Sequence, residues 1–285
     1  MTSTSADPAL APAVDVAEAP PRSIVRDAVA ELRAVARYRH LLRYLVSSSL
    51  KTEHANTVLG FLWWVLDPLL LASVYVLLVG VLLQRGGPDF PIFVVAGIIA
   101  WELFSKGSLN MVSGTVRKEA SMRQVVFPKS VLPLSEIGAA AIHWAFAFSV
   151  LLVIAIPFGI YPSAYALLAL PIVLVQLVLT LGVGFFLSAF NIFFRDTTRL
   201  MQYVFRIGFY LSPVLYPVSV VPERFRDLYL LNPFATLIPA YRDVVMEHRL
   251  PDFGALAIVA GGSIVVLILG YLFFVRCQPW FAKLV

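Results

Sequence analysis

The chain has 285 residues, of which 60% are hydrophobic and 14% charged, with a formal net charge of +5. Soluble globular proteins carry about 25% charged residues, so this deficit excludes an ordinary soluble domain and makes lipid the principal solvent. A single cysteine, Cys277, excludes a disulfide framework and a cysteine-based metal site.

Residues 1–22 form an Ala/Pro/Ser/Thr-rich tail. It has too little apolar mass to fold and no apolar stretch of the signal-peptide kind. Residues 23–56 have a different texture. Ser23 is placed to cap a helix over 23–46 in which Ile24, Ala28, Leu32, Val35, Leu42 and Leu45 recur at helical spacing, while Arg26, Arg33, Arg37, Arg39 and Arg43 fall mainly on the other faces. A basic amphipathic helix of this kind is expected in the membrane interface, with packing on a partner helix as its rival reading.

Residues 57–275 carry the membrane domain. The run 58–83 holds 26 residues with one charged side chain, Asp67. At about 1.5 Å per residue it spans a hydrocarbon core of about 30 Å. Five further apolar runs follow at roughly 92–112, 131–158, 164–190, 200–216 and 255–275, with Pro157 and Pro171 as candidate kinks or ends. Basic residues decide the orientation. With the N-terminus inside, fifteen of the 22 Lys and Arg fall on the cytoplasmic side and five on the outer side, leaving Lys106 and Arg206 within spans. The expected fold is an all-α membrane protein with six crossings, both termini cytoplasmic, and a cytoplasmic tail over 276–285.

Two connections stand apart. The loop 114–129 is expected on the cytoplasmic side and is long enough for a short helix. The outer connection 217–254 contains Pro222, Pro233, Pro239 and Pro251, which cut helix-like pieces at 222–231 and 233–247. The second piece has an apolar stripe, including Phe234 and Tyr241, too short to span, so both pieces are expected to dip into the outer leaflet.

Ionisable groups within spans are rare and face protein or water. Counted from the span ends, Asp67, Lys106 and Arg206 lie at similar depth, with Glu102 one helical turn beyond Lys106 on its face. Two acids and two bases so placed can neutralise one another. A second reading has Lys106 and Arg206 lining a vestibule that meets a diphosphate, a task suited to the planar guanidinium. His143 is a further ionisable group at membrane depth. The aromatics Phe205, Phe209, Tyr210 and Tyr216 are either packing or a lining for sugar C–H faces. Arg195 and Asp196 close the fourth run, where they anchor the cytoplasmic mouth. The loops offer no DxD and no paired acids beside a histidine, which argues against a membrane enzyme acting on polyprenyl phosphates. No internal repeat supports a secondary transporter.

The order Leu50-Lys51, Val58-Leu59-Gly60-Phe61-Leu62-Trp63, Asp67-Pro68, Asn191-Ile192-Phe193-Phe194-Arg195-Asp196 and Asn232-Pro233 resembles the permease subunits of ABC-2 type polysaccharide exporters, which move O-antigen, teichoic acid or related lipid-linked glycans. Such permeases commonly carry a basic and an aromatic residue before the first span, where this chain has Glu53-His54. The resemblance implies a multi-pass subunit of the bacterial cytoplasmic membrane, a homodimer bound to two copies of a separate ATPase that holds ATP and Mg. Its substrate would be a polyprenyl-diphosphate-linked glycan, with membrane lipid around it and no nucleic acid partner. An exporter of drugs or small lipids would share the architecture. No GxxxxGK[ST] loop occurs in the sequence, so no cofactor or catalytic residue is expected on this chain. On the same resemblance, residues 115–126 form the coupling helix that docks in the ATPase. Val116, Met122 and Val125 would fill the groove, and Arg117, Lys118, Glu119 and Arg123 would pair at its rim. Asn232, Pro233, Phe234 and Tyr241 would belong to the outer gate.

Overall fold

The computed structural model describes residues 24–53, 58–84, 87–121 and 127–284. Among them every regular element is helical: α1 (Ile24–Arg37), α2 (Arg39–Glu53), α3 (Trp63–Tyr75), α4 (Phe90–Ser121), α5 (Val131–Ala155), α6 (Ala169–Phe193), α7 (Thr197–Leu211), α8 (Glu223–Leu230), α9 (Phe234–Val245) and α10 (Phe253–Leu284). The wider π-helical turns of Val76–Leu82 prolong α3. Among the described residues five helical stretches are long and apolar enough to cross a bilayer: Trp63–Leu82, Phe90–Lys118, Val131–Phe158, Ala164–Phe193 and Phe253–Gln278.

The run 200–216 is not one span-length helix. It forms α7, whose 15 residues reach about 22 Å, and then breaks at Ser212, which takes an extended conformation. Pro213 is the cause, because its ring disfavours helical backbone in the residue before it. Pro157 ends α5 in a tight turn over Ile156–Phe158, closed by Gly159 at φ 81°. Pro171 does not kink α6, because it falls in the first turn, where its missing N–H costs nothing.

The basic amphipathic stretch is two helices that meet at Tyr38, whose N–H is shared between Ala34 O at 3.1 Å and Val35 O at 3.0 Å. Ala28 and Leu45 of the expected apolar face are buried, whereas Ile24 and Leu32 are exposed. Ser23 lies outside the described residues. The buried positions face the bundle. Tyr271 Oη donates to Ala28 O, joining α10 to α1, and Gly138 of α5 leaves room for Val46 of α2. The first half of the loop 114–129 likewise departs from expectation, since residues 114–121 continue α4. The two proline-bounded pieces form α8 and α9, each entered directly after its proline.

Side-chain pairs set the helix directions. Ala100 O meets Gln176, and Met111 lies against Gly184, so α4 and α6 run parallel. Phe185 meets Tyr271 and Phe193 meets Trp280, so α6 and α10 run parallel too. At that crossing a Cβ on Gly182 would lie 2.6 Å from Leu267 N, and one on Gly270 would overlap Gly182 O. Small residues let the two backbones touch. Antiparallel to α4 are α5, with Lys118 beside Glu136 and Gly107 beside Ala140, and α7, with Phe104 on Phe205 and Trp101 on Phe209. The bundle therefore has a base, where α1 and α2 pack, and a cap, where α8 and α9 lie.

Candidate functional site

A cleft of about 500 Å³ opens between α2, α4 and α5. It exists because α4 and α5 turn polar faces toward each other and space them with Gly107, Ala139, Ala140 and Ala147. Toward its middle, Lys106 Nζ lies 2.9 Å from Glu102 Oε1 and 3.6 Å from Asp67 Oδ2. Three of the four expected intramembrane charges are thus brought together. Arg206 is not among them. It is exposed, its guanidinium stands 6.0 Å from the Tyr203 ring, and among the described residues no carboxylate lies within ion-pair distance. His143 lines the same cleft and lies 5.1 Å from the Trp64 ring.

At the basal end Lys118 points inward. Its Nζ lies 3.0 Å from Glu136 Oε1 and donates to Ser49 Oγ and Ser135 Oγ, each at 2.7 Å. Those hydroxyls donate in turn to Leu45 O and Leu132 O, so the network joining α2, α4 and α5 is fully satisfied. Gly114 is required here, because a Cβ would overlap the Glu136 carboxylate. Lys118 in this position does not present a charge to a docking partner. Val116 is half-buried and Arg117 exposed. Met122, Arg123, Val125 and the side chain of Glu119 lie outside the described residues. Arg195 and Asp196 are both exposed in the turn between α6 and α7.

The expected lining aromatics divide. Phe205 and Phe209 are buried against Phe104 and Trp101. Tyr210 is exposed and shares a 2.9 Å hydroxyl contact with Tyr75, while Tyr216 Oη donates to Tyr210 O and accepts from Tyr229 Oη.

At the cap, Phe234 is wedged 4.8 Å from both Trp101 and Phe104. Tyr241 Oη donates to Gln176 Oε1, and Gln176 Nε2 donates to Ala100 O. Asn232 Nδ2 donates to Ser212 Oγ while its Oδ1 accepts from Phe234 N, tying the α8–α9 corner to the break in α7. Pro233 is half-buried beside them. The strongest tie is Arg242, only 6% exposed. Its guanidinium donates to Phe93 O, Pro213 O and Val214 O and lies 3.3 Å from the Phe93 ring. Gly97 admits it, since a Cβ there would stand 2.8 Å from both Arg242 Nη2 and Val214 O.

The count of basic residues puts Arg242 on the outer side without giving it a partner, and it does not touch Glu136, Gln176 or Glu31. Glu136 and Gln176 carried a usable signal, each being a polar group in a long apolar run. Glu31 carried none: its Oε1 accepts from Ser130 N, Ser130 Oγ and Gln278 Nε2, partners supplied by distant segments.

The family described as ABC-2 type transporter matches residues 40–246. An O-antigen export system permease protein RfbA of Myxococcus xanthus is 35% identical over 238 residues, covering 83% of this chain and 92% of that protein. One of the same name from Klebsiella pneumoniae is 28% identical over 245 residues, 86% of this chain and 94% of its own length. The polysialic acid transport protein KpsM of Escherichia coli is 22% identical over 228 residues, 78% of this chain and 87% of the relative.

Proposed function

We propose that this chain, which belongs to the ABC-2 type transporter family, is the membrane-spanning subunit of an ATP-driven exporter that carries a lipid-linked polysaccharide across the bacterial cytoplasmic membrane. The observation that carries this reading is 35% identity along 92% of a relative named as an O-antigen export permease. In this reading the base is cytoplasmic and the cap faces outward. The parallel course of α6 and α10 supports a return of the chain across the bilayer between them. The short α7 with its irregular extension alongside α4 supplies that return, which makes six crossings with both termini inside. Irregular backbone is tolerable at that depth because Arg242 and Asn232 satisfy it.

Two copies of the chain would pair with two ATPase subunits, which hold ATP and Mg and dock at the segment following α4. Arg206, exposed on α7 with Tyr210 beyond it, would face the substrate path rather than lipid, where an uncompensated charge is costly. There it can receive a diphosphate through its fork of donors. Lys106, Tyr216 and the aromatic layer of Phe205 and Phe209 would back that path. Arg195 and Asp196 would hold its mouth, and α8 and α9, with Asn232, Pro233, Phe234 and Tyr241, would form the exit.

Depletion of the chain tests this. Surface glycan should disappear while glycan joined to its lipid carrier accumulates inside, and an ATPase carrying a phosphate loop should co-purify with the tagged protein. Unchanged surface glycan together with altered efflux of drugs or small lipids would replace this reading with the exporter of small molecules.

A further inference from the structure

Resting on the exporter reading, we infer that the cleft between α2, α4 and α5 is a subsite for the uncharged, polyhydroxylated part of the substrate, its sugar rings, and that it turns the diphosphate away. The first argument is charge. Three cations line the cleft, Lys106, Lys118 and Arg117, and three carboxylates offset them: Glu102 and Asp67 within 3.6 Å of Lys106, and Glu136 3.0 Å from Lys118, so the formal charges cancel. An entering diphosphate would meet those carboxylates at the same short range as the ammonium groups, so it gains no net attraction there. Arg206, outside the cleft and with no carboxylate in reach among the described residues, offers the contrary environment.

The second argument is the set of groups left over. Asn110 and Ser48 line the cleft, and neither side chain makes a hydrogen bond among the described residues. An amide and a hydroxyl each both donate and accept, which matches the dual character of sugar hydroxyls and suits neither a pure anion nor a pure cation. Trp144 supplies an apolar wall against which C–H faces can pack. The third is size: about 500 Å³ falls within the range of about 300–1,000 Å³ typical of ligand pockets.

The test uses the full chain with Cys277→Ser as background and a reporter at Asn110→Cys, with Ser48→Cys on the opposite wall as a second reporter in case the first fails to fold. Inverted membrane vesicles are treated with methanethiosulfonates of three kinds: neutral and sugar-bearing, anionic, and cationic. Each rate is divided by that at an exposed control, Gln202→Cys. The sugar-bearing reagent should modify the cleft about tenfold faster than either charged reagent. Vesicles from cells that hold the complete glycan on its carrier should show protection of the cleft cysteine. Vesicles whose assembly stops at the unglycosylated polyprenyl phosphate should not. Equal rates for all three reagents, equal protection by the bare carrier, or no modification at either position would each overturn the subsite. If depletion still abolishes surface glycan while no protection is seen, the subsite fails alone and the exporter reading stands.

Discussion

The base and the cap of this bundle meet the same problem, charge below the surface of a membrane protein, in opposite ways. In the basal cleft small side chains leave a void, and Lys106, Lys118 and Arg117 are offset by Glu102, Glu136 and Asp67, so the region is polar, open and close to neutral. At the cap one buried guanidinium, that of Arg242, has no carboxylate in ion-pair reach among the described residues and is held by the carbonyls of Phe93, Pro213 and Val214. The difference teaches what each region is for. A balanced void can admit a ligand, whereas a cation spent on backbone carbonyls can only hold a shape. Here the shape is the break after Ser212 that lets α7 turn away and α9 dock on α4.

Substitutions can break this comparison, beginning with the largest effect. Arg242→Leu leaves the carbonyls of Pro213 and Val214 buried without donors, at a cost on the order of 2–6 kcal/mol if each stranded group counts about 1–3. Thermal unfolding in lipid nanodiscs should show a large fall in Tm. Arg242→Lys should recover only a minor part of it, because a point charge cannot reproduce the fork. If lysine restores full stability, the cap is held by charge rather than by geometry.

Glu136→Leu comes next. It strands Lys118 in a buried site, and removing one partner of such a pair costs about 3–5 kcal/mol in well-sealed interiors and less beside an open cleft, so about 2–3 is expected here. The double change Lys118→Met with Glu136→Leu should return most of the loss, since replacing both partners by apolar groups is often near neutral. A double variant as unstable as the single one would show that the network, rather than the pairing, stabilises the base.

The smallest effect belongs to Asp67→Asn. Its carboxylate and Lys106 are both about two-fifths exposed, so the pair behaves as a solvated one worth about 0–1 kcal/mol. Tm should barely move. The rate of the anionic reagent at Asn110→Cys should nonetheless rise, because one of the three balancing carboxylates is gone. A large Tm loss here would erase the contrast between the two regions.

Much of the fold could be read from local chemistry. Residues 58–83 announced lipid by length and apolarity, and Pro222 and Pro233 marked the starts of α8 and α9. Asp67, Glu102 and Lys106 could be grouped by counting depth along two helices, which is why three of the four charges were found together. The segment 114–129 is less legible. Gly114 and the charged stretch after it look like a turn, yet α4 runs through them because the glycine makes room for Glu136. The amphipathic stretch shows a related limit: periodicity shows that a face will be covered and does not say by what. Lipid and the basal ends of α5 and α10 are alike to that test; Ala28 and Val46 meet α10 and α5, while Ile24 and Leu32 stay exposed.

The sequence alone therefore determined the solvent, the helical class, and the places where proline must end or start a helix, because hydrophobicity and ring sterics act on the residues that carry them. The tertiary structure decided which charges are neutralised, which are buried on carbonyls and where a void remains. Those outcomes depend on partners such as Phe93 and Arg242, or Ser49 and Lys118, far apart in the chain and joined only when the helices pack.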